Sequence, residues 1–199
     1  MMEDKEMDTF ILELFQNAKT LTFKKGEFIP LFQRNKKEIA VVKSGDIALM
    51  KSDFNGNLIF IDHFTTGNII SKLWIYNEEN DLFLVAKTKV EIIFQDYLFF
   101  FQSNNYRAIS LLTEKFINYS IHLNQKIAVL QKRNMEDKIL AYFHILAKKY
   151  NSNKFELPLT YKDLADYLGV DRSSLMRKLS ELEKNKKIKK QGKTIFLKN

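Results

Sequence analysis

Residues 105–150 contain neither glycine nor proline, and within them Ile109, Leu112, Phe116, Tyr119, Leu123, Ile127 and Leu130 recur every three or four positions. An uninterrupted backbone with apolar side chains at that spacing predicts a long amphipathic helix with a nearly heptad seam. So narrow a stripe has two uses: docking on its own neighbouring domain or pairing with a second chain. Its length favours the pair, which makes these seven residues the candidate dimer interface. Asn134 stands three residues before Asp137. A side-chain oxygen there can cap orphan amides, so a break is predicted near Arg133, with a second helix over 135–150.

This helical tract divides the chain. Before it, residues 1–15 read as a helix with Phe10, Ile11, Leu14 and Phe15 on one face. Strand-like runs rich in β-branched and aromatic residues follow at 38–42, 46–50, 58–61, 83–86 and 90–94. Turn signals separate the runs at Lys25-Gly26, Ser44-Gly45, Asn55-Gly56 and Thr66-Gly67. Asn55-Gly56, set between Met50 and Leu58, is a hairpin signal. Short strands at this spacing predict a β-roll of jelly-roll type. After the helical tract, Asn151-Ser152-Asn153 reads as a polar linker.

The last quarter carries the functional signal. Thr160 can cap a helix, and Asp163 completes a capping box. Leu164, Ala165 and Leu168 form the inner face of that helix, and Gly169 supplies the left-handed residue that a sharp turn needs. Asp171 can cap a following helix whose inner face is Leu175, Leu179 and Leu182. Two short helices joined by a glycine turn make a helix-turn-helix. The second helix turns Ser173, Arg177, Ser180 and Lys184 outward, and Arg172 and Ser174 lie in its first turn, where a recognition helix meets base edges. Ile188-Lys189-Lys190, Gln191-Gly192 and Thr194-Ile195-Phe196-Leu197 then form a small hairpin, the wing of a winged helix. Arg172, Ser173, Ser174 and Arg177 are the candidate base readers. Thr160, Tyr161, Lys162, Lys190, Lys193 and Thr194 are the candidate phosphate contacts, which position a protein without reading sequence.

Charge agrees with this placement. Of a net +8, residues 152–199 hold 12 Lys and Arg against 6 Asp and Glu. Such asymmetry points to a polyanionic partner for that quarter, double-stranded DNA above all. The fold class expected is thus α+β: an N-terminal β-roll over 1–104, a long dimerisation helix over 105–134 and a C-terminal winged helix-turn-helix over 135–199.

The run Leu164-Ala165-Asp166-Tyr167-Leu168-Gly169-Val170-Asp171-Arg172-Ser173-Ser174-Leu175, with Gln191-Gly192-Lys193-Thr194-Ile195, closely resembles the winged helix of the CRP/FNR regulators. Lys25-Gly26-Glu27-Phe28-Ile29 and Val42-Lys43-Ser44-Gly45-Asp46-Ile47 resemble early turns of that family's β-roll. Gly67-Asn68-Ile69 and Ala86-Lys87-Thr88 resemble the borders of its cyclic-nucleotide-binding cassette. The resemblance implies a homodimeric transcription regulator that contacts RNA polymerase, with Arg172 and Arg177 reading DNA. Many relatives place a base-reading Glu between those arginines. Here Ser173 stands there, so the operator sequence does not carry over. Aligning the cassette borders puts Lys72 where cyclic-nucleotide binders use a Glu for the ribose. It puts Asn80 and Asp81 where they use an Arg and a hydroxyl residue for the phosphate. An ammonium can only donate, and an anion repels phosphate. The resemblance therefore implies a regulator not controlled by cyclic AMP, with Lys72 more simply explained by a salt bridge inside the fold. The effector is an unidentified small molecule in the roll, or there is none.

Other chemistry is not legible. The chain has no cysteine, which excludes disulfides, cysteine-ligated zinc, iron–sulfur clusters and thiol catalysis within it and fits a cytoplasmic setting. No signal-peptide pattern opens it, and the apolar run at 97–101 is far too short to span a bilayer. His63, His122 and His144 are scattered rather than clustered as a metal site requires. Phosphate-loop and dinucleotide-binding glycine motifs are missing. Glu78, Glu79 and Asp81 read as a surface loop, and Trp74 as core. No enzyme activity, cofactor or metal is expected. Two rival classes, a β-roll enzyme with a basic tail and a scaffold whose winged helix binds protein, are separated from the DNA reading by gel shift.

Overall fold

The computed structural model describes residues 15, 18, 20–31, 38–71, 75, 81–96, 98 and 106–198. The chain divides into two compact units, Met1–Asn118 and Tyr119–Asn199. The expected N-terminal helix lies outside the described residues except for Phe15, which is buried. Lys72, Trp74, Glu78, Glu79, Asn80 and most of 97–101 also lie outside them.

The first unit is built from two antiparallel sheets. In the first, strands run in the order β1 (Thr20–Phe23), β8 (Val90–Asp96), β3 (Glu38–Ser44) and β6 (Ile69–Ser71). In the second the order is β2 (Phe28–Ile29), β7 (Leu82–Ala86), β4 (Ile47–Ser52) and β5 (Leu58–Phe64). The sequence runs expected as strands fall within β3, β5, β7 and β8, and the run 46–50 starts one residue before β4. Along β3 the residues Ile39, Ala40, Val41 and Val42 are all buried, so alternation is lost. Both faces are covered, and a doubly covered strand is apolar throughout. One face joins Phe15, Ile69 and Ile93 in a cluster with Ala108 and Leu111 of the helix α1 (Tyr106–Leu130). The β4–β5 hairpin closes over Asn55-Gly56, where the Asp53 carboxylate accepts from the Asn55 and Asn57 amides, each at 2.8 Å.

Gly45 is demanded by geometry. Its φ is +92°, and a Cβ there would meet the Lys89 carbonyl oxygen at 2.3 Å. Only glycine tolerates both conditions. The close approach lets Asp46 N donate to Thr88 Oγ1 at 2.9 Å, joining the turn before β4 to the turn after β7.

In the second unit, α1 ends at Leu130, and Asn134 caps α2 (Met135–Lys149) by accepting from Asp137 N at 2.8 Å. Then come β9 (Lys154–Glu156), α3 (Tyr161–Leu168), α4 (Arg172–Lys184), β10 (Ile188–Gln191) and β11 (Thr194–Leu197). The strands form one antiparallel sheet, β10-β11-β9. The segment 151–153, expected as a linker, is a built helix stop. Asn151 adopts φ +46°, Ser152 N returns to Ala147 O at 2.9 Å, and Asn153 O accepts from Leu197 N at 2.8 Å. Backbone amides and carbonyls tie it down, which side-chain polarity alone does not reveal.

Candidate nucleic-acid interface

The two short helices are set by their ends. Thr160 Oγ1 accepts from Asp163 N at 3.1 Å and donates to Asp163 Oδ2 at 2.8 Å, the expected capping box. Gly169 closes α3 at φ +63° with its amide on Asp166 O at 3.0 Å. Asp171 then caps α4 by accepting from Ser174 N at 2.8 Å.

Packing turns one face of each helix inward. Leu164 and Leu168 of α3 and Leu175, Leu179 and Leu182 of α4 are fully buried. Burying a leucine contributes about 1.5–3 kcal/mol, so this stripe dictates how α4 is rolled. The platform beneath is α2, whose Ile139, Tyr142, Phe143 and Leu146 are buried. Tyr142 packs its ring 5.0 Å from that of Tyr167, and Phe143 lies 5.9 Å from Phe155 of β9. Lys126 of α1 lies 4.6 Å from the Tyr167 ring centroid, and Lys187 pairs with Glu136 at 2.6 Å.

With the leucines inward, Ser173, Arg177, Ser180 and Lys184 are exposed on the opposite side of α4, Arg172 is exposed in its first turn, and Ser174 is half-buried. These side chains are ordered among themselves. Ser173 Oγ donates to Asp171 Oδ2 at 2.7 Å, and Arg177 Nη2 donates to Ser174 Oγ at 3.0 Å. The Ser173 hydroxyl first, then the Ser174 amide and hydroxyl, hold the Asp171 carboxyl down at about 2. It is therefore ionised at neutral pH.

The wing is fastened to the start of α3. Tyr161 Oη donates to Gly192 O, at the wing turn, at 2.6 Å. Burial, and then the Glu183 charge, raise the Tyr161 pKa, which keeps the hydroxyl a donor. Lys190 N donates to Glu183 Oε1 at 3.0 Å, and its ammonium stands 5.6 Å from the Tyr161 ring centroid. Lys162 and Lys193 are exposed, while Thr194 and Lys190 are half-buried. Among the candidate phosphate contacts, Thr160 and Tyr161 thus have hydroxyls engaged within the fold. Sequence reasoning missed this tie between Tyr161 and Gly192, and also strand β9, because neither a 31-residue separation nor a three-residue strand leaves a periodic trace.

On α1 the seam residues divide by depth. Leu112 packs at the edge of the first unit's core beside Ala108 and Leu111. Phe116, Ile127 and Leu130 are 45%, 51% and 37% exposed, while Ile109, Tyr119 and Leu123 are half-buried. Ile117 and Ile121, off the seam, are each 50% exposed. Among the described residues no group of three His, Asp or Glu could hold a metal ion, and no helix is long and apolar enough to cross a membrane. His63 lies on β5, His122 on α1 and His144 on α2.

Residues 137–199 match the model of the Crp-like helix-turn-helix domain. Over 78 residues the chain is 32% identical to the anaerobic regulatory protein of Haemophilus influenzae, a match covering 37% of this chain and 30% of the relative. It is likewise 32% identical over 78 residues to the regulatory protein HlyX of Actinobacillus pleuropneumoniae, covering 37% and 32%. The chain thus spans about a third of the length of these curated relatives. The fold is similar along nearly the whole chain to that of CprK complexed with OCPA, at TM-score 0.77, 17% identity and coverage of 95% and 91%. It is also similar to the c-di-GMP responsive global regulator CLP of Xanthomonas campestris, at TM-score 0.67, 17% identity and coverage of 96% and 99%. A cyclic nucleotide-binding domain containing protein from Listeria monocytogenes matches at TM-score 0.77 and 14% identity, covering 98% and 97%.

Proposed function

We propose, from the premise that residues 137–199 are a Crp-like helix-turn-helix domain in a chain with the fold of the CRP/FNR regulators, that this protein is a sequence-specific DNA-binding transcription regulator. It works by binding rather than catalysis, as a cytoplasmic homodimer on a partly palindromic operator, and it contacts RNA polymerase. Residues 1–104 are the sensor-like roll, 105–134 the dimerisation helix and 135–199 the DNA-binding domain. Cyclic AMP is not its effector.

One observation carries the reading. The leucine face of α4 is fully buried, and this leaves Arg177 exposed on the outer face, with Arg172 exposed in the first turn, of a helix inside a Crp-like domain. A guanidinium fork bonds a guanine edge bidentately. Lys190 and Lys193 stand on the wing, suited to phosphate. Selection of bound DNA from a random pool, followed by gel shift of the enriched sequence, tests the proposal. Enrichment of one inverted-repeat sequence is expected. A pool that stays random after repeated rounds overturns it.

A further inference from the structure

We infer that Asp171 sets the hydrogen-bonding polarity of the base-reading surface, so that Ser173 meets the major groove as an acceptor and selects a base that presents an amine in that groove, adenine or cytosine. This rests on α4 being the recognition helix.

Ser173 Oγ lies 2.7 Å from Asp171 Oδ2. A carboxylate only accepts, so the serine proton points at Asp171, and the serine oxygen keeps lone pairs but no proton to give. The same carboxylate oxygen accepts from Ser174 N at 2.8 Å, which makes Asp171 the cap of α4 and anchors it to the helix end. One turn further on, Arg177 Nη2 donates to Ser174 Oγ at 3.0 Å. Cap, both serines and the arginine therefore form one ordered relay.

A free serine is ambivalent. It can donate to guanine or thymine oxygens, or accept from adenine N6 or cytosine N4. With its proton held by Asp171, only the second class remains. Ser173 and Asp171 are both exposed, so the acceptor is available to a groove. Arg172 and Arg177 can only donate, which suits guanine. The surface thus combines two donors and one enforced acceptor. Each half-site should hold guanine contacts beside one position restricted to adenine or cytosine on the strand facing Ser173.

The test is selection from a random pool by the full chain, by S173A and by D171N, in which asparagine still caps α4 but no longer compels the serine proton. For the natural sequence, one position per half-site should favour adenine or cytosine over guanine or thymine by about three- to tenfold, the size of one hydrogen bond. S173A should level that position relative to the guanine positions of the same half-site. D171N should admit guanine and thymine there. An adenine-or-cytosine bias that survives S173A overturns the inference, as does a natural-sequence half-site with no such position. Failure of the natural sequence to enrich any DNA is a different result: it overturns the assignment of α4 as recognition helix, and this inference with it.

Discussion

Residues of like charge are expected to do unlike work on the proposed DNA-binding surface. Arg172 and Arg177 stand on α4, the first exposed in its first turn and the second opposite a fully buried leucine face. A guanidinium there can discriminate a guanine from other bases by about 1–3 kcal/mol. Lys190 and Lys193 stand on the wing and offer point charges suited to any phosphate. Arg172→Ala or Arg177→Ala should weaken the selected operator far more than random DNA. Lys190→Ala and Lys193→Ala should weaken both and flatten the salt dependence, because fewer counterions are released. Titrating each variant against both DNAs at several salt concentrations checks this, and equal losses from the two classes would refute it. A second residue-scale expectation concerns Gly45. A methyl group there meets a carbonyl oxygen at 2.3 Å on a backbone at φ +92°. Gly45→Ala should cost more than about 1 kcal/mol in denaturant unfolding, whereas the same change at Gly26, where a Cβ meets nothing within 4 Å, carries only the strain of its positive φ.

At the scale of elements, α1 is the informative helix. Ala108 and Leu111 enter the first unit's core, whereas Phe116, Ile127 and Leu130 of the same helix are substantially exposed. One chain therefore covers only part of its apolar circumference. An exposed apolar row of this kind is a candidate contact surface. Replacing Phe116 and Leu123 with Glu should yield a folded monomer that loses operator binding. Sedimentation of the natural and doubly substituted proteins checks this. A natural protein that is monomeric at micromolar concentration would overturn the dimer. The wing shows how elements differ in legibility. The β10–β11 hairpin was readable from its turn and alternating apolar residues, and Ile195 and Leu197 are indeed buried. β9 was not, since Lys154-Phe155-Glu156 offers one buried side chain and no period.

At the scale of the whole molecule, two-fold pairing through α1 would present two recognition helices to one face of a duplex. Half-sites should then lie about one helical turn apart, roughly 10 bp centre to centre. Footprinting on the selected operator checks the spacing, and a single short asymmetric footprint would contradict it. The same scale holds the ligand question. Asp81 stands where the resemblance would place the hydroxyl partner of a cyclic phosphate, and its carboxylate pairs with Lys51 at 3.1 Å. Losing a charge-assisted phosphate contact costs about 1.5–3 kcal/mol, and an anion in its place adds repulsion. Calorimetry with millimolar cyclic AMP and cyclic GMP should show no saturable micromolar binding. Binding that tightened operator affinity would reverse this expectation.

The amino-acid sequence by itself determined what depends on near neighbours along the chain. Caps at Asn134, Thr160 and Asp171, the left-handed stop at Gly169, the helical stripe of α1 and the strand runs of the roll are all set within a few residues, where backbone sterics and side-chain period act. The tertiary structure alone decided what depends on meetings across long separations. It joined Tyr161 to Gly192, brought β9 beside β11, and buried Ala108 and Leu111 of α1 in the first unit's core. It also set the roll of α4: three buried leucines turn that helix so that Ser173 and Arg177 are exposed, while the bonds of Asp171 to Ser173 and Ser174 and of Arg177 to Ser174 join residues only two or three apart. Periodicity marks which side of a helix is apolar, but proton positions follow from which acceptors the folded chain brings within reach.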